Sequence, residues 1–185
     1  AIQGVLNQDV DFELELVIFD DCSTDRTCEI IQKYVSYHPK GNRIKYTRHD
    51  NNLGMMNNFV LALESCKGKY IALCDGDDFW IDNFKIQKQV EFLESNPNFV
   101  LSFHSVYVLF PNGEKKEYEF AKNNLILKEG GIFELALYGN FVFTPSVVFR
   151  REFQKIPEYF KRLEVGDFFL YLYVCNNGKF CKLDF

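Results

Sequence analysis

Residues 70–80 read YIALCDGDDFW, an apolar run with strand character that ends in three carboxylates, Asp75, Asp77 and Asp78, within four positions. Neighbouring carboxylates repel one another, so the arrangement is unfavourable unless water, backbone N–H groups or a cation compensates it. In open parallel sheets ligands gather beyond the carboxyl ends of the strands, which is where this turn falls. The plainer reading is a solvated turn with a helix cap, since Gly and Asp are the usual turn residues.

Working upstream, LELVIF (14–19) is strand-like and is followed by a second acidic turn, DDCSTD (20–25), rich in helix-capping residue types. Ile30, Ile31, Tyr34 and Val35 then recur at helical spacing. RIKYTRH (43–49) predicts a second strand, NNLG (51–54) a polar turn, and Met56, Phe59, Val60 and Leu63 a helix that stops at Gly68. Downstream, Asp82 is placed to cap a helix carrying Ile86, Val90 and Leu93, which Pro97 ends. Strand and helix alternate over the first hundred residues, which predicts a mainly parallel sheet flanked by helices. The pattern changes near Pro97. FVLSFHSVYVLF (99–110) and KKEYEF (115–120) flank PNG and predict an antiparallel hairpin. A short helix over 133–138, a strand SVVFR (146–150) and an aromatic helix DFFLYLYV (167–174) complete the chain. No repeat or linker divides it, so one domain over 1–185 is expected, with a first half 1–97 and a second half 98–185.

The 185 residues are 47% hydrophobic, with twenty Phe and ten Tyr, enough for a substantial aromatic core. A net charge of -5 and a pI near 5.3 offer no basic surface for a nucleic-acid backbone, so nucleic-acid partners are excluded. The six cysteines form no C-x-x-C pair, which suits a reducing cytosol better than a zinc site. No segment approaches the roughly 18 uninterrupted apolar residues of a membrane span. The opening AIQGVLNQ has helical apolar spacing and no initiator Met, so the chain reads as a piece of a longer protein.

If both acidic turns lie at strand ends they can share one crevice. An extended conformation sends Asp75 and Asp77 to the same side and Asp78 to the other, and Gly76 lets a ligand approach the backbone. Two carboxylates on one side suit Mg²⁺ or Mn²⁺, which complete their octahedron with phosphate oxygens and water.

ELELVIFDDCSTDRT, NNLGMMNNFVLAL and GKYIALCDGDDFW, in that order and at these spacings, resemble glycosyltransferase family 2 enzymes of the GT-A, Rossmann-like α/β fold. GNFVFTPSVVFRRE and GDFFLYLYVCNNGKF are similar to the family's acceptor-side segments. The resemblance implies inverting transfer of a sugar, hexosyltransferase-type and metal-dependent, from a nucleotide-diphosphate-sugar donor to an acceptor hydroxyl. It makes 1–97 the donor-binding half and 98–185 the acceptor-side half. By position, Asp20 and Asp21 match contacts to the donor's base and ribose, Asp75 the carboxylate beside the ribose, Asp77 the ligand of Mn or Mg, and Asp167 the general base. Asn52, Gly54 and Asn58 are placed to shape a polar floor beneath the donor.

The implied setting is cell-surface polysaccharide or glycoconjugate synthesis in the cytoplasm, at the inner face of a membrane, on an acceptor glycan or lipid-linked sugar. Two departures stand out. Asn57 occupies a place where relatives often carry Lys or Arg. The family's first strand does not precede Ala1, which predicts an opening beside LELVIF; a Tyr-Arg-x-His-like stretch does not follow Phe185.

Plainer readings stand beside these. Asp167 before an apolar run is a favoured helix cap. His104, Trp80 and the aromatic residues Phe168, Phe169, Tyr171 and Tyr173 read as core, and the Arg150–Arg151 pair as a solvated strand end. A Mg²⁺-dependent phospho-receiver would pair Asp20 and Asp21 with Asp75, and a sugar-nucleotide-binding module would bind without turnover.

Overall fold

The computed structural model describes residues 1–118 and 127–185. A short helix α1 (Ile2–Leu6) leads to strand β1 (Leu16–Asp20), helix α2 (Thr27–Tyr37), strand β2 (Ile44–Arg48), helix α3 (Met55–Ser65), strand β3 (Tyr70–Ala72) and helix α4 (Lys85–Ser95). Strands β4 (Phe99–His104), β5 (Val106–Leu109), β6 (Lys115–Tyr118) and β7 (Glu129–Gly130) follow, then helix α5 (Ile132–Tyr138), strand β8 (Val148–Arg150), helix α6 (Gly166–Cys175) and strand β9 (Lys179–Leu183). The strand–helix alternation read from the first hundred residues is present, and each predicted helix forms.

β1 and β2 pair in parallel from Leu16 opposite Ile44 to Asp20 opposite Arg48. The larger sheet has the order β3-β8-β4-β9-β7, in which only β4 and β9 run parallel. The α/β class and the small antiparallel hairpin are thus present, while the expectation of mainly parallel pairing is corrected. β8 comes from the second half of the chain and inserts between β3 and β4, antiparallel to both. Nothing in the local alternation of residues 1–97 reports that insertion, because it is made by a segment fifty residues further on. The hairpin is also shorter than the apolar run suggested. Phe99–His104 is a core strand, and only β5 and β6 form the hairpin. Residues 119 and 120 of KKEYEF lie outside the described residues.

Alternation along β8 assigns its two faces. Val148 packs with Val90, Leu93, Ile86 and Trp80 on the α4 side. Val147 and Phe149 pack with Leu170, Val174 and Phe180 on the α6 side. Phe103, Phe141 and Phe180 meet there in tilted and edge-on pairs with centroids 5.5 to 6.0 Å apart, the geometry aromatic quadrupoles favour. On the α4 side Gln8 is fully buried: its amide donates to Asp82 O at 2.8 Å and accepts from Ile86 N at 3.0 Å. One side chain thereby fixes α1 to the start of α4 and satisfies a first-turn N–H that the helix cannot satisfy itself.

The opening expected beside LELVIF is present. Among the described residues β1 pairs with β2 alone, and between β1 and β3 lies a cleft of about 2090 Å³ lined by both strands.

Lys85 is the least expected core residue, with 2% of its surface exposed. Its ammonium donates to Gln89 Oε1 at 2.7 Å and sits 4.5 Å from the centre of the Trp80 ring. Burial pulls its pKa down to about 7. Between that value and the ordinary lysine value the unfolded chain binds the extra proton, so stability contributed through Lys85 rises with pH across this window. Lys85→Met is therefore expected to be most favourable relative to wild type at and below pH 7, and the difference in melting temperature should shift towards wild type as pH rises to about 10. A pH-independent difference would show that Lys85 does not change charge on unfolding.

Candidate active site

Asp20 ends β1 and its carboxylate is 1% exposed. Oδ1 accepts from Ser23 N at 2.7 Å, Oδ2 from the Tyr46 hydroxyl at 2.7 Å, and Arg48 Nε lies 3.6 Å from Oδ2. Burial pushes its pKa up, but the Ser23 and Tyr46 hydrogen bonds with the Arg48 charge outweigh burial and hold it below the usual carboxylate value. Both oxygens of Asp20 are thus occupied in organising the turn. Asp21 accepts from Leu53 N at 2.7 Å and Gly54 N at 2.9 Å, and Asn52 donates back to Asp21 O at 3.2 Å. Gly54 carries φ +86°, a conformation glycine adopts without strain, and this aims its N–H at the carboxylate. Asn58 closes the same floor, donating to Phe19 O at 3.0 Å and meeting His49 Nε2 at 3.1 Å. Asn57 donates to Leu53 O at 2.7 Å and so braces this turn as well.

The DGDD turn follows β3, with Asp78 N donating to Asp75 O at 3.1 Å. Asp75, Gly76 and Asp77 are exposed. Partial desolvation of the Asp75 carboxyl raises its pKa, and the charges of Asp78, Asp77 and Asp167 raise it further, against an opposing contact from Thr144. Asp78 is raised by burial and by Asp77. The turn is anchored from below. Trp80 Nε1 donates to Pro145 O at 2.8 Å, and Gln89 Nε2 to Ser146 O at 2.9 Å. These two bonds tie the acidic turn and α4 to the short helical turn Thr144–Ser146, which carries Thr144 to Asp75.

Asp167 lies in the first turn of α6, where Oδ1 accepts from Phe168 N at 2.7 Å and Asn140 Nδ2 donates to Oδ2 at 3.1 Å. Val165, not Asp167, occupies the cap position. Asp167 acts on Asp75 electrostatically although the two are far apart in sequence.

Asp20, Asp21, Asn58, Asp75 and Gly76 line the one cleft between β1 and β3, and Asn52 and Gly54 are bound to Asp21 at its rim. Asp77 follows Asp75 by two residues in the same turn, and the Asp167 charge on α6 acts on Asp75. Thr144, Asn140 and Tyr46 are functional neighbours that the sequence reading missed; each is a lone polar residue brought in by tertiary contact, with no motif around it. The Arg pair lies elsewhere. Arg150 serves Phe99 O, Leu93 O and the Tyr70 hydroxyl, and Arg151 the carbonyls of Lys67, Gly68 and Phe153. His104 is half-buried, its Nδ1 2.6 Å from Ser105 O.

Among the described residues no three His, Cys, Asp or Glu side chains converge into a group that would hold a metal ion alone. The donor set fits a different arrangement, in which one or two carboxylates share a hard cation with phosphate oxygens. The mutual repulsion that raises Asp75 is what such a cation relieves.

The sequence matches the model of Glycosyl transferase family 2 over residues 1–156. An uncharacterized protein of Mycobacterium tuberculosis is 36% identical over 152 residues, 82% of this chain and 42% of that protein. A UDP-Glc:alpha-D-GlcNAc-diphosphoundecaprenol beta-1,3-glucosyltransferase of Escherichia coli is 36% identical over 95 residues, 51% of this chain and 35% of the enzyme. A mannosyltransferase from Pyrobaculum calidifontis, solved with GDP-Man and Mn²⁺, aligns with TM-score 0.49 and 21% identity over 60% of this chain and 31% of its own. The chain thus spans less than half the length of these relatives. With the two acidic motifs set around one cleft and the family model matched over most of the sequence, the chain belongs to glycosyltransferase family 2.

Proposed function

We propose that residues 1–185 are the catalytic unit of an inverting glycosyltransferase that moves a hexose from a nucleotide-diphosphate sugar to an acceptor hydroxyl in surface polysaccharide or glycoconjugate synthesis. The observation that supports this most is the placement of both acidic turns on one cleft. Asp20, Asp21, Asn52 and Gly54 form a braced polar wall for the nucleoside, and Asp75 lies beside its ribose. Asp77, helped by Asp75, would hold Mn²⁺ or Mg²⁺. When bound, that ion supplies positive charge for the leaving diphosphate.

Asp167 takes the proton of the acceptor hydroxyl while its oxygen attacks the anomeric carbon. The bond from that carbon to the diphosphate oxygen breaks, the nucleoside diphosphate leaves with the electron pair, and attack opposite the leaving group inverts the configuration. Asn140 holds one carboxylate oxygen and the Phe168 N–H the other, which fixes the direction of proton transfer.

No helix among the described residues is long and apolar enough to cross a membrane. An acceptor carried on a lipid, as in the Escherichia coli relative's name, would place the reaction at the cytoplasmic face of a membrane with the protein associated peripherally. A phospho-receiver is disfavoured because β8 runs antiparallel between β3 and β4, where that reading needs parallel strands. Incubating the protein with UDP-glucose or GDP-mannose, Mn²⁺ and an undecaprenyl-diphosphate-linked sugar tests the proposal. Nucleoside diphosphate release that requires the acceptor is expected; binding without release would indicate a non-catalytic module.

A further inference from the structure

Trp80, the chain's single Trp, follows the DGDD turn and is held on three sides. It is 8% exposed and packs among Val5, Ile86, Val90 and Val148. The Lys85 ammonium lies 4.5 Å from the centre of its ring. α1 presses on its backbone, since a Cβ on Gly4 would come within 2.8 Å of Trp80 O. A buried indole N–H needs an acceptor. The acceptor it has found, Pro145 O at 2.8 Å, belongs to the second half of the chain.

Pro145 ends a segment whose other end holds Asp167. Asn140 Nδ2 donates to Asp167 Oδ2 at 3.1 Å. Between these two contacts Phe141 and Val142 are buried, with the Phe141 ring against Phe103 and Phe180. Just past Pro145, Ser146 O accepts from Gln89 Nε2 at 2.9 Å, and the Ser146 hydroxyl donates to Phe143 O at 2.7 Å. A segment bonded at both ends and close-packed between them transmits displacement instead of absorbing it. Residues 140–145 therefore form a stiff bridge from Trp80 to the Asp167 carboxylate.

We propose that Trp80 is a positioning residue for sugar transfer: by bonding Pro145 it sets the place of the DGDD turn, and of the donor held there, relative to Asp167. This rests on the proposed roles of Asp167 as the base and of the DGDD turn in donor binding. The turn is closed within itself by Asp78 N donating to Asp75 O at 3.1 Å. Releasing Trp80 from Pro145 therefore disturbs the alignment of donor and base more than the arrangement of the carboxylates. Misplacing reacting groups by about 1 Å costs about 10² in rate.

Replacing Trp80 by 3-benzothienylalanine tests it, because sulfur then stands where the N–H was and the ring keeps its size; with a single Trp, one position alone is changed. The assay uses UDP-glucose or GDP-mannose, whichever the wild type takes, with MnCl₂ and an undecaprenyl-diphosphate-linked sugar. There kcat should fall about 10- to 100-fold, while donor Kd by calorimetric titration stays within about threefold of wild type. Trp80→Phe should show the same split with a lower melting temperature, because the smaller ring leaves a cavity. In an Asp167→Asn background the benzothienyl replacement should cost less than about twofold in turnover, since the base whose alignment it sets is gone. A merely structural Trp would lower the melting temperature and leave kcat of the folded protein unchanged. Wild-type kcat in the benzothienyl protein, a loss that falls on donor Kd, or a loss that multiplies with that of Asp167→Asn overturns the inference while Asp167→Asn alone still removes most turnover. Full turnover in Asp167→Asn, or a wild type that transfers from neither donor, overturns the proposed function and this inference with it.

Discussion

Asp167→Asn is expected to leave donor affinity unchanged and to lower sugar transfer by about 10² to 10⁴-fold, the usual span for loss of a general base. The amide is nearly the same size as the carboxylate, and one side-chain oxygen remains to accept from Phe168 N or Asn140 Nδ2. What disappears is the ability to take a proton. A helix-start role alone would give a different pattern, because losing such a contact costs about 1 kcal/mol of stability and leaves turnover of the folded protein intact. Steady-state rates and the melting temperature of the same preparation separate the two; full turnover in Asp167→Asn would return the residue to a local structural role.

The second large effect is expected at Asp77. Asp77→Asn should weaken Mn²⁺-dependent donor binding at least tenfold, since a ligand carboxylate becomes a neutral amide. Asp77 is exposed, so its replacement should leave the melting temperature of the unliganded protein nearly unchanged. Removing one member of a mutually repelling carboxylate group also relieves Asp75, whose pKa the Asp77 charge helps to raise. Donor binding should therefore fall while the melting temperature of the unliganded protein stays level or rises slightly. An unchanged affinity in Asp77→Asn would remove Asp77 from the metal site.

Much of the first half was legible because its signals are local. The stripe Met56, Phe59, Val60 and Leu63 became α3, with Met56, Val60 and Leu63 buried. The α2 stripe was legible in type but not in depth: Ile31 is buried while Ile30 and Val35 are exposed, and Ile30 borders the open cleft. The second half was read less well. An apolar run from Phe99 to Phe110 looks continuous, yet a break at Ser105 sends its first part into the core sheet and its second into an exposed hairpin. β9 was not anticipated; Lys179, Phe180, Cys181, Lys182 and Leu183 have no strong strand signal and are recruited by pairing with β4.

At the site, the motifs located the acids without showing how each is used. Asp20 and Asp21 read alike in sequence. In the structure one is sealed beneath Tyr46 and the other grips the backbone of Leu53 and Gly54, because β1 ends between them and turns their side chains to different neighbours. Thr144 and Asn140 carry no local signal at all. The Thr144–Ser146 turn reaches the acidic turn only through the Trp80 and Gln89 bonds to its carbonyls, and Asn140 meets Asp167 only once the end of α5 has packed against α6.

On the proposed function, the cleft between the two acidic turns binds a nucleotide-diphosphate sugar with a divalent ion. Thermal unfolding of the wild-type protein with UDP, GDP, UDP-glucose and GDP-mannose, each in Mn²⁺ and in chelator, tests it most directly, because a ligand that binds only the folded state at about 100 times its Kd adds about 2.7 kcal/mol of stability. The predicted result is a rise in melting temperature with one nucleotide family, in Mn²⁺ and not in chelator. Equal melting temperatures with and without every nucleotide, or a rise that chelator leaves untouched, would contradict it.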